Sequence, residues 1–188
     1  IGVLVTDSHR LRVSGSSFDG SKLEGVSFRG ASRDNAVSSC TLRGPGHGVG
    51  VFRTSSVSVQ SSNIQVTRAG ILVDNEAQLL ASQNTLHGCS SGISVQGKST
   101  AQVTGNTCEG NSAGILIETD GTQAYVADNS CTSNSNNGIT LQGRSSVAVQ
   151  RNTCRQNGGG ILITGAVTGE VNRNTLERNG NGLSIQDA

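Results

Sequence analysis

Residues 152–163 read NTCRQNGGGILI, and this stretch contains most of the elements that recur along the chain. It closes with a glycine, a branched apolar residue, any residue and another apolar residue. This pattern occurs nine times, at intervals of 22 to 24 residues. Its glycines are Gly2, Gly25, Gly48, Gly70, Gly92, Gly114, Gly138, Gly160 and Gly182. A fixed period of this length is the sequence signature of a solenoid, in which one structural unit is stacked on the next.

Each of these segments has the alternation of a β-strand. In the segment at 114–117, Ile115 and Ile117 point one way and Leu116 the other, because successive strand side chains face opposite sides. We interpret the glycine as a tight corner or a residue with positive φ. A second strand follows in every coil, and Val57 and Val59 are one of its inward pairs.

A column of polar residues follows the second strand, three positions after its second inward residue. Its members are Ser16, Cys40, Ser62, Asn84, Asn106, Asn129, Asn152 and Asn174. Asn suits a corner because it tolerates left-handed backbone and bonds to the backbone. With coils stacked at ~4.8 Å, the amides can also bond to one another along the axis. A second ladder of this kind is Asn111, Asn134, Asn157 and Asn179.

An inward column lies two residues beyond the first ladder. It consists of Phe18, Leu42, Ile64, Leu86, Cys108, Cys131, Cys154 and Leu176. The cysteines replace leucine, so we interpret them as small buried apolar residues with free thiols. Parallel Cβ directions are a poor fit for a disulfide. No histidine shares the column, so no metal site is predicted.

Composition excludes several classes of protein. Aromatic residues make up 2% of the chain and Trp is absent, so the core must be built from small branched side chains. The net charge of +1 argues against a nucleic-acid partner. No apolar run is long enough for a transmembrane helix, so no membrane partner is predicted.

These columns predict an all-β fold, namely a single-stranded right-handed parallel β-helix of about eight coils of 22–24 residues. Residues 1–188 form one domain in this interpretation. The chain starts and stops within a repeat, which favours an excerpt of a longer protein. A helical solenoid is disfavoured because 3.6-residue periodicity is missing, and the right hand follows the general rule for parallel crossovers.

The unit from Asn152 to Ile163 resembles the parallel β-helix repeat shared by pectate-lyase-like proteins, periplasmic copper-maturation proteins, alginate epimerases and certain F-box proteins. The likeness is close from about Asn84 to Ile185 and looser over residues 1–83, where Ser or Cys replaces the ladder Asn. The resemblance implies a fold that carries lyases, hydrolases, epimerases and binding modules. Function must therefore be argued from individual sites.

Two acidic residues and one histidine are the candidates for catalysis. Asp74 and Glu118 follow strands two coils apart, roughly 10 Å at ~4.8 Å per coil, near the separation in inverting glycosidases. The resemblance to polysaccharide lyases implies calcium on such acids and a nearby Arg or Lys, but the facing columns from Asp74 to Gln142 contain neither. His47, in Gly-His-Gly, resembles a polygalacturonase motif without its companions. We therefore predict no catalytic residue, no metal site and no cofactor, with calcium, for instance at 118–121, as the alternative.

The outward side of the first strands predicts a binding face. Leucine occurs there on alternate coils, which is unusual for a sheet that faces solvent. We call this face the lateral strip, and it consists of Phe52, Leu72, Asp74, Gln96, Leu116, Glu118, Gln142 and Leu162. The sequence predicts a non-catalytic recognition or scaffold module that binds a protein or a polysaccharide here. The alternatives are part of a polysaccharide-active enzyme, or a face covered by another part of the same chain.

Two further expectations concern partners and compartment. Open strand edges and core at both ends of the solenoid predict end-to-end self-association. The compartment stays open, although buried unpaired thiols favour a reducing interior such as the cytoplasm. An ion pair between Arg155 and Glu177, one coil apart, is also predicted.

Overall fold

The computed structural model describes residues 1–186 and arranges them in three parallel sheets that run along a rod. Every strand pairs with the equivalent strands one coil before and one coil after it, as Leu72 pairs with Gly50 and Ser94. The predicted parallel β-helix is confirmed. No residue from 1 to 186 lies in a helix, and none of this part of the chain could cross a membrane as one.

Each coil contributes one strand to each sheet. The first sheet contains β1 (Val3–Thr6), β4 (Glu24–Arg29), β7 (His47–Phe52), β10 (Ala69–Asp74), β13 (Ser91–Val95), β16 (Ala113–Ile117), β19 (Asn137–Gln142), β22 (Gly159–Thr164) and β25 (Leu183–Gln186). The second contains β2 (Arg12–Ser14), β5 (Asn35–Ser38), β8 (Ser56–Gln60), β11 (Gln78–Ser82), β14 (Thr100–Thr104), β17 (Gln123–Ala127), β20 (Ser146–Gln150) and β23 (Thr168–Asn172). The third contains β3 (Ser17–Phe18), β6 (Thr41–Gly44), β9 (Asn63–Val66), β12 (Thr85–His87), β15 (Thr107–Glu109), β18 (Ser130–Thr132), β21 (Thr153–Arg155) and β24 (Thr175–Glu177).

The inward columns meet in one continuous core of branched aliphatic side chains and thiols. The segments of the third sheet were not predicted to be strands. Their inward residues are nevertheless the inward column predicted from Phe18 to Leu176. The pattern of the second strand also predicts Leu11 as an inward residue, but its side chain is 41% exposed. One coil later Asn35 occupies the inward position, and its Oδ1 accepts a hydrogen bond from the Leu11 amide at 2.8 Å.

Two roles were considered for the recurrent glycines, a tight corner or a positive φ, and the second is wrong; these glycines are needed for the close approach of neighbouring coils. None of the nine has a positive φ. At Gly92, a Cβ atom would lie 2.6 Å from the carbonyl oxygen of Gly114 and 2.9 Å from Sγ of Cys108. Only glycine therefore lets a strand of the first sheet begin so close to the next coil.

The first asparagine ladder bonds each coil to its neighbours. Oδ1 of Asn106 accepts hydrogen bonds from both the backbone nitrogen and Nδ2 of Asn84, each at 3.0 Å. Its Nδ2 donates to the carbonyl of Ala81 at 3.0 Å. The left-handed residue is the one before the asparagine, such as Gly105 (φ 64°) or Asp128 (φ 58°). The asparagines are thus required for bonds between coils rather than for backbone conformation. The second ladder is built in the same way, as at Asn134 and Asn157.

A third ladder, which the sequence analysis missed, occupies the corner between the first and second sheets. Small hydroxyl residues there donate to backbone carbonyls of their own turn, as Ser32 does to Arg29 (2.8 Å) and Thr122 to Glu118 (2.9 Å). The column is Ser32, Ser55, Ala77, Ser99, Thr122 and Ser145. Ser99 is the exception, because its buried hydroxyl has no hydrogen-bond partner in the part of the chain that the structure describes.

All five cysteines are buried and free. Cys108, Cys131 and Cys154 are stacked in the third sheet, as predicted. The hydrogen bond with the Cys108 thiol, together with burial, raises the pKa of Cys131 well above its ordinary value. Cys40 and Cys89 instead occupy ladder positions, where the Cys89 amide donates to Oδ1 of Asn111 at 2.9 Å.

Three surface ion pairs connect neighbouring coils among the described residues, the longest of them between Arg144 and Asp120 at 4.0 Å. The predicted pair forms, with 2.8 Å between Arg155 Nη2 and Glu177 Oε2. The Arg151 guanidinium forms a bidentate ion pair with the Asp128 carboxylate, and both nitrogen–oxygen distances are 2.8 Å. It also donates a hydrogen bond to the Tyr125 hydroxyl. Exposed pairs of this kind contribute little to stability, because water and salt screen the two charges.

Replacing Ser99 by Ala should stabilise the protein by about 1 kcal/mol, because it removes a buried hydroxyl without a partner. The preceding coil already has Ala77 in this place. The measurement is the urea midpoint at unchanged m-value. The control is Ser32→Ala, which removes a bonded hydroxyl and should lower the midpoint. A lower midpoint for Ser99→Ala would contradict the prediction.

The stacked thiols should make the stability fall at alkaline pH. The folded state holds the Cys131 proton more tightly than the unfolded chain, so its contribution is complete below the ordinary pKa of 9.0 and decreases as pH rises above it. The slope is about 1.4 kcal/mol per pH unit for each such thiol. Denaturant unfolding of the wild type and of Cys131→Ala, from about pH 8 to about pH 10.5, measures it. Equal slopes for the two proteins would show that the thiol does not contribute.

Candidate functional site

The outward side of the first sheet carries the leucine column as predicted. Leu72, Leu116 and Leu162 are half-buried, whereas the Val and Ile side chains next to them in the strands point into the core. The residues between the leucines, Ser94 and Thr140, are buried and follow them in strict register. The leucine side chains therefore cover the small residues on either side and form a nearly continuous surface.

The fold brings the eight residues of the lateral strip onto this one face, and all are half-buried. Phe52 pairs with Asp74 across neighbouring strands. Farther along, Nε2 of Gln142 donates to Oε2 of Glu118 at 2.9 Å. The Glu118 carboxylate is thus hydrogen-bonded to Gln142. Glu118 lies two coils away from Asp74, so the two acids do not converge on one point.

At one end the lateral strip opens into a cleft of about 580 Å³, within the usual range for small-ligand sites. We call it the first-sheet cleft. Its lining residues are Thr6, Asp7, Glu24, Arg29, Gly30, His47, Phe52, Arg53, Leu72, Asp74 and Asn75. Two of the three residues considered for catalysis, His47 and Asp74, therefore line the same cleft.

Gly50 lets two of the residues that line the cleft approach the sheet. It occupies the middle outward column, where the next coil has Leu72. A Cβ atom at Gly50 would lie 2.5 Å from Cε2 of Phe52 and 3.0 Å from Cγ of Glu24. Without a side chain at this position, the Phe52 ring and the Glu24 chain can lean over the backbone from either side.

An ion pair between a buried carboxylate and an exposed guanidinium lines one wall of the cleft. Glu24 is only 6% exposed, and Nη2 of Arg29 lies 3.5 Å from each of its carboxylate oxygens. Nε of Arg29 donates to Ser27 Oγ at 3.2 Å, and its guanidinium carbon lies 5.4 Å from the centre of the Phe52 ring. A buried carboxylate is costly without a counter-charge, so Arg29 holds both Glu24 and Phe52 in place.

The sequence analysis did not select Glu24 or Arg29. The position of Glu24 could have been recognised from the repeat, because Glu24 directly precedes Gly25 as His47 directly precedes Gly48. Glu24 and His47 are paired in the sheet. The contact between the two ends of one strand, from Arg29 back to Glu24, is not visible in the spacing of the repeat.

His47 is neutral in this setting. Burial, followed by the nearby Arg68, lowers the pKa of its imidazole, although Glu24 acts in the opposite direction. Its Nδ1 accepts a hydrogen bond from the Ala69 amide at 3.2 Å, which assigns the proton to Nε2. His47 can therefore offer a ligand one neutral N–H donor.

The acids considered as alternative calcium ligands have protein partners. Oδ1 of Asp120 accepts a hydrogen bond from the Arg144 amide at 3.0 Å, and Asp74 accepts one from the Asn75 amide at 2.7 Å. Across residues 1–186, no three His, Cys, Asp or Glu side chains form a group that could hold a metal ion.

Comparison with known proteins gives two findings. The sequence matches the family described as "Periplasmic copper-binding protein (NosD)" over residues 33–188. A crystal structure of a double mutant of the periplasmic alginate epimerase AlgG is similar, with a TM-score of 0.67 at 14% sequence identity. The alignment covers 99% of this chain and 59% of that one, and it shows a shared fold. No curated protein matches the sequence. The resemblance seen in the repeat is thereby confirmed.

The donor set of the described residues does not fit the copper in that family description. Copper sites use Cys, His and Met, but the chain has no Met. The three histidines lie apart, His47 in the first sheet, His87 in the third and His9 at an isolated bridge. The thiols are buried, and burial raises the pKa of Cys89, which disfavours the metal-binding thiolate.

Arg29→Ala should lower the free energy of unfolding by about 2 kcal/mol, because it leaves the Glu24 carboxylate buried without a counter-charge. Adding Glu24→Gln should recover part of this loss, with a coupling energy of at least about 0.5 kcal/mol. Arg155→Ala, which breaks an exposed pair, is the control and should cost only a few tenths of a kcal/mol. Equal costs for the two arginine variants in denaturant unfolding would contradict the assigned role.

Proposed function

The chain belongs to the family of the periplasmic copper-binding protein NosD, and we propose that it is a non-catalytic module that binds a polysaccharide in the first-sheet cleft and along the lateral strip. The observation that carries this proposal is the cleft itself. There Phe52 and Leu72 offer apolar surface, while Arg29 and His47 offer hydrogen-bond donors. A sugar ring has an apolar C–H face with hydroxyl groups around it, so it can use both kinds of contact at once.

The rest of the strip supports a long, repeating ligand. Gln96, Glu118 and Gln142 follow one another at one coil each, about 4.8 Å apart. A row of amides and carboxylates at constant spacing suits a polymer whose units repeat at a similar length. The shared fold with AlgG, described as an alginate epimerase, points to the same class of ligand. A protein partner on the leucines is the competing possibility.

The geometry of the cleft favours binding over catalysis. A general base needs a free lone pair within hydrogen-bond reach of the proton it takes. The acceptor nitrogen of His47 is already bonded to the Ala69 amide, and Glu24 is bonded to Arg29. Asp74 is bonded to the amide of its neighbour Asn75. His47 thus has no free lone pair for a proton, and we assign the carboxylates of the cleft to ligand binding together with it.

We also propose a periplasmic location, after the description of the family. The sequence analysis favoured a reducing interior because the cysteines were predicted to be unpaired. All five thiols are buried, and the reactive form of a thiol is the exposed thiolate. The core can therefore keep its thiols free in an oxidising compartment.

Calorimetric titration with alginate, polygalacturonate and cellulose oligomers tests this proposal. Phe52→Ala should weaken binding of the preferred polysaccharide by about tenfold, because it removes the main apolar contact of the cleft. Gln123→Ala, at an exposed position of the second sheet, is the control and should bind as the wild type does. Binding that is unaffected by Phe52→Ala, or no binding of any of the polysaccharides, would contradict the proposal.

A further inference from the structure

A second concave surface lies on the outer face of the second sheet, away from the lateral strip and the first-sheet cleft. It encloses about 450 Å³, and we call it the second-sheet trough. Five residues follow one another in register across it, namely Arg12, Ala36, Ser58, Leu80 and Gln102. The small side chains of Ala36 and Ser58 form the floor. The trough is therefore two coils wide, about 10 Å at ~4.8 Å per coil.

Among residues 1–186, the side chains of Arg12, Asp34 and Gln78 at the trough have no hydrogen-bond partner, whereas Asn35 and Ser56 are bonded to neighbouring residues. Asp34 uses its backbone N–H to bond to Ser56 Oγ at 3.0 Å, and no ion pair of residues 1–186 involves Asp34 or Arg12. This differs from the first-sheet cleft, where Glu24 and Arg29 are bonded to each other. The side chains of Arg12, Asp34 and Gln78 are thus free to bind a ligand.

Leu80 is the second observation. Its side chain is 49% exposed in the middle of the rod. The other large apolar side chains that are exposed to this degree lie in the first and last coils, where neighbouring coverage is incomplete; they are Ile1, Leu4, Leu11, Leu23, Leu183 and Ile185. Incomplete coverage does not explain Leu80, which has a coil on either side.

We propose that the second-sheet trough is a separate saccharide-binding site that takes an uncharged pyranose unit. The C–H face of the ring packs on Leu80 and Ala36, and its hydroxyls bond to Asp34 and to the amide of Gln78. Because the charges of Arg12 and Asp34 offset each other, the trough has no net attraction for an acidic sugar.

A peptide fits the trough less well. Extended peptides gain affinity by hydrogen bonding to a free strand edge. The floor of the trough is the face of a sheet, and β5 and β8 are paired with strands on both sides. No free backbone edge is presented there, so recognition must come from side chains, as it does for sugars.

The test is calorimetric titration of the whole chain with neutral cello- and manno-oligosaccharides, with galacturonate oligomers for comparison. Ala36→Arg fills the floor of the trough and should weaken neutral oligosaccharide binding at least about tenfold. Ala148→Arg is the matched control, because Ala148 stands in the same outward column of the same sheet, beyond the trough. It should leave binding unchanged. Phe52→Ala is titrated alongside as the separate test of the first-sheet cleft.

Thermal unfolding establishes that each variant is folded, and Gln78→Ala replaces Ala36→Arg if the latter is not. Neutral binding that is lost with Ala36→Arg or Gln78→Ala, but kept with Phe52→Ala, supports the trough whether or not the first-sheet cleft binds polysaccharide. Binding lost only with Phe52→Ala, no binding of neutral oligosaccharides, or equal binding by all variants would each overturn the proposal.

Discussion

The structure depends on how the backbone is satisfied at the corners between its sheets. At a corner the chain has left one sheet and not yet entered the next, so its backbone lacks the regular pairing of a strand. Its N–H and C=O groups are nevertheless buried against the next coil and need hydrogen-bond partners. Asparagine supplies them at two corners, since one amide can accept from the coil before it and donate to a carbonyl there as well. Serine and threonine hydroxyls take this role at the third corner.

Strict stacking has a direct effect on the surface. Residues 22 to 24 positions apart become neighbours, so a site is assembled from one side chain per coil and not from a loop. A small residue in such a column changes what its neighbours can do: at Gly50, the missing side chain leaves room for Phe52 and Glu24. In the second-sheet trough, the small residues Ala36 and Ser58 have the same effect.

The parts of this architecture that repeat could be predicted from the sequence. The strands of the first two sheets, the asparagine ladders, the stacked thiols and the outward leucines all follow from period and alternation. Features that depend on close approach could not. The close approach of coils at Gly92 and the contact of Arg29 with Glu24 leave no periodic signal in the sequence. The third sheet was not recognised because its strands are only two to four residues long, too short to show alternation. Of the cleft, only His47, Phe52, Leu72 and Asp74 were named beforehand.

The asparagine ladders have one more consequence, which concerns how such a rod changes in evolution. Each ladder residue bonds to the coils next to it and to nothing farther away, so duplicating one coil, from Asn84 to Gly105, would create a new rung with the same bonds on both sides. The lateral strip would lengthen by one row without disturbing the others. A molecule built in this way can change its length to suit an extended ligand by the duplication or loss of whole coils.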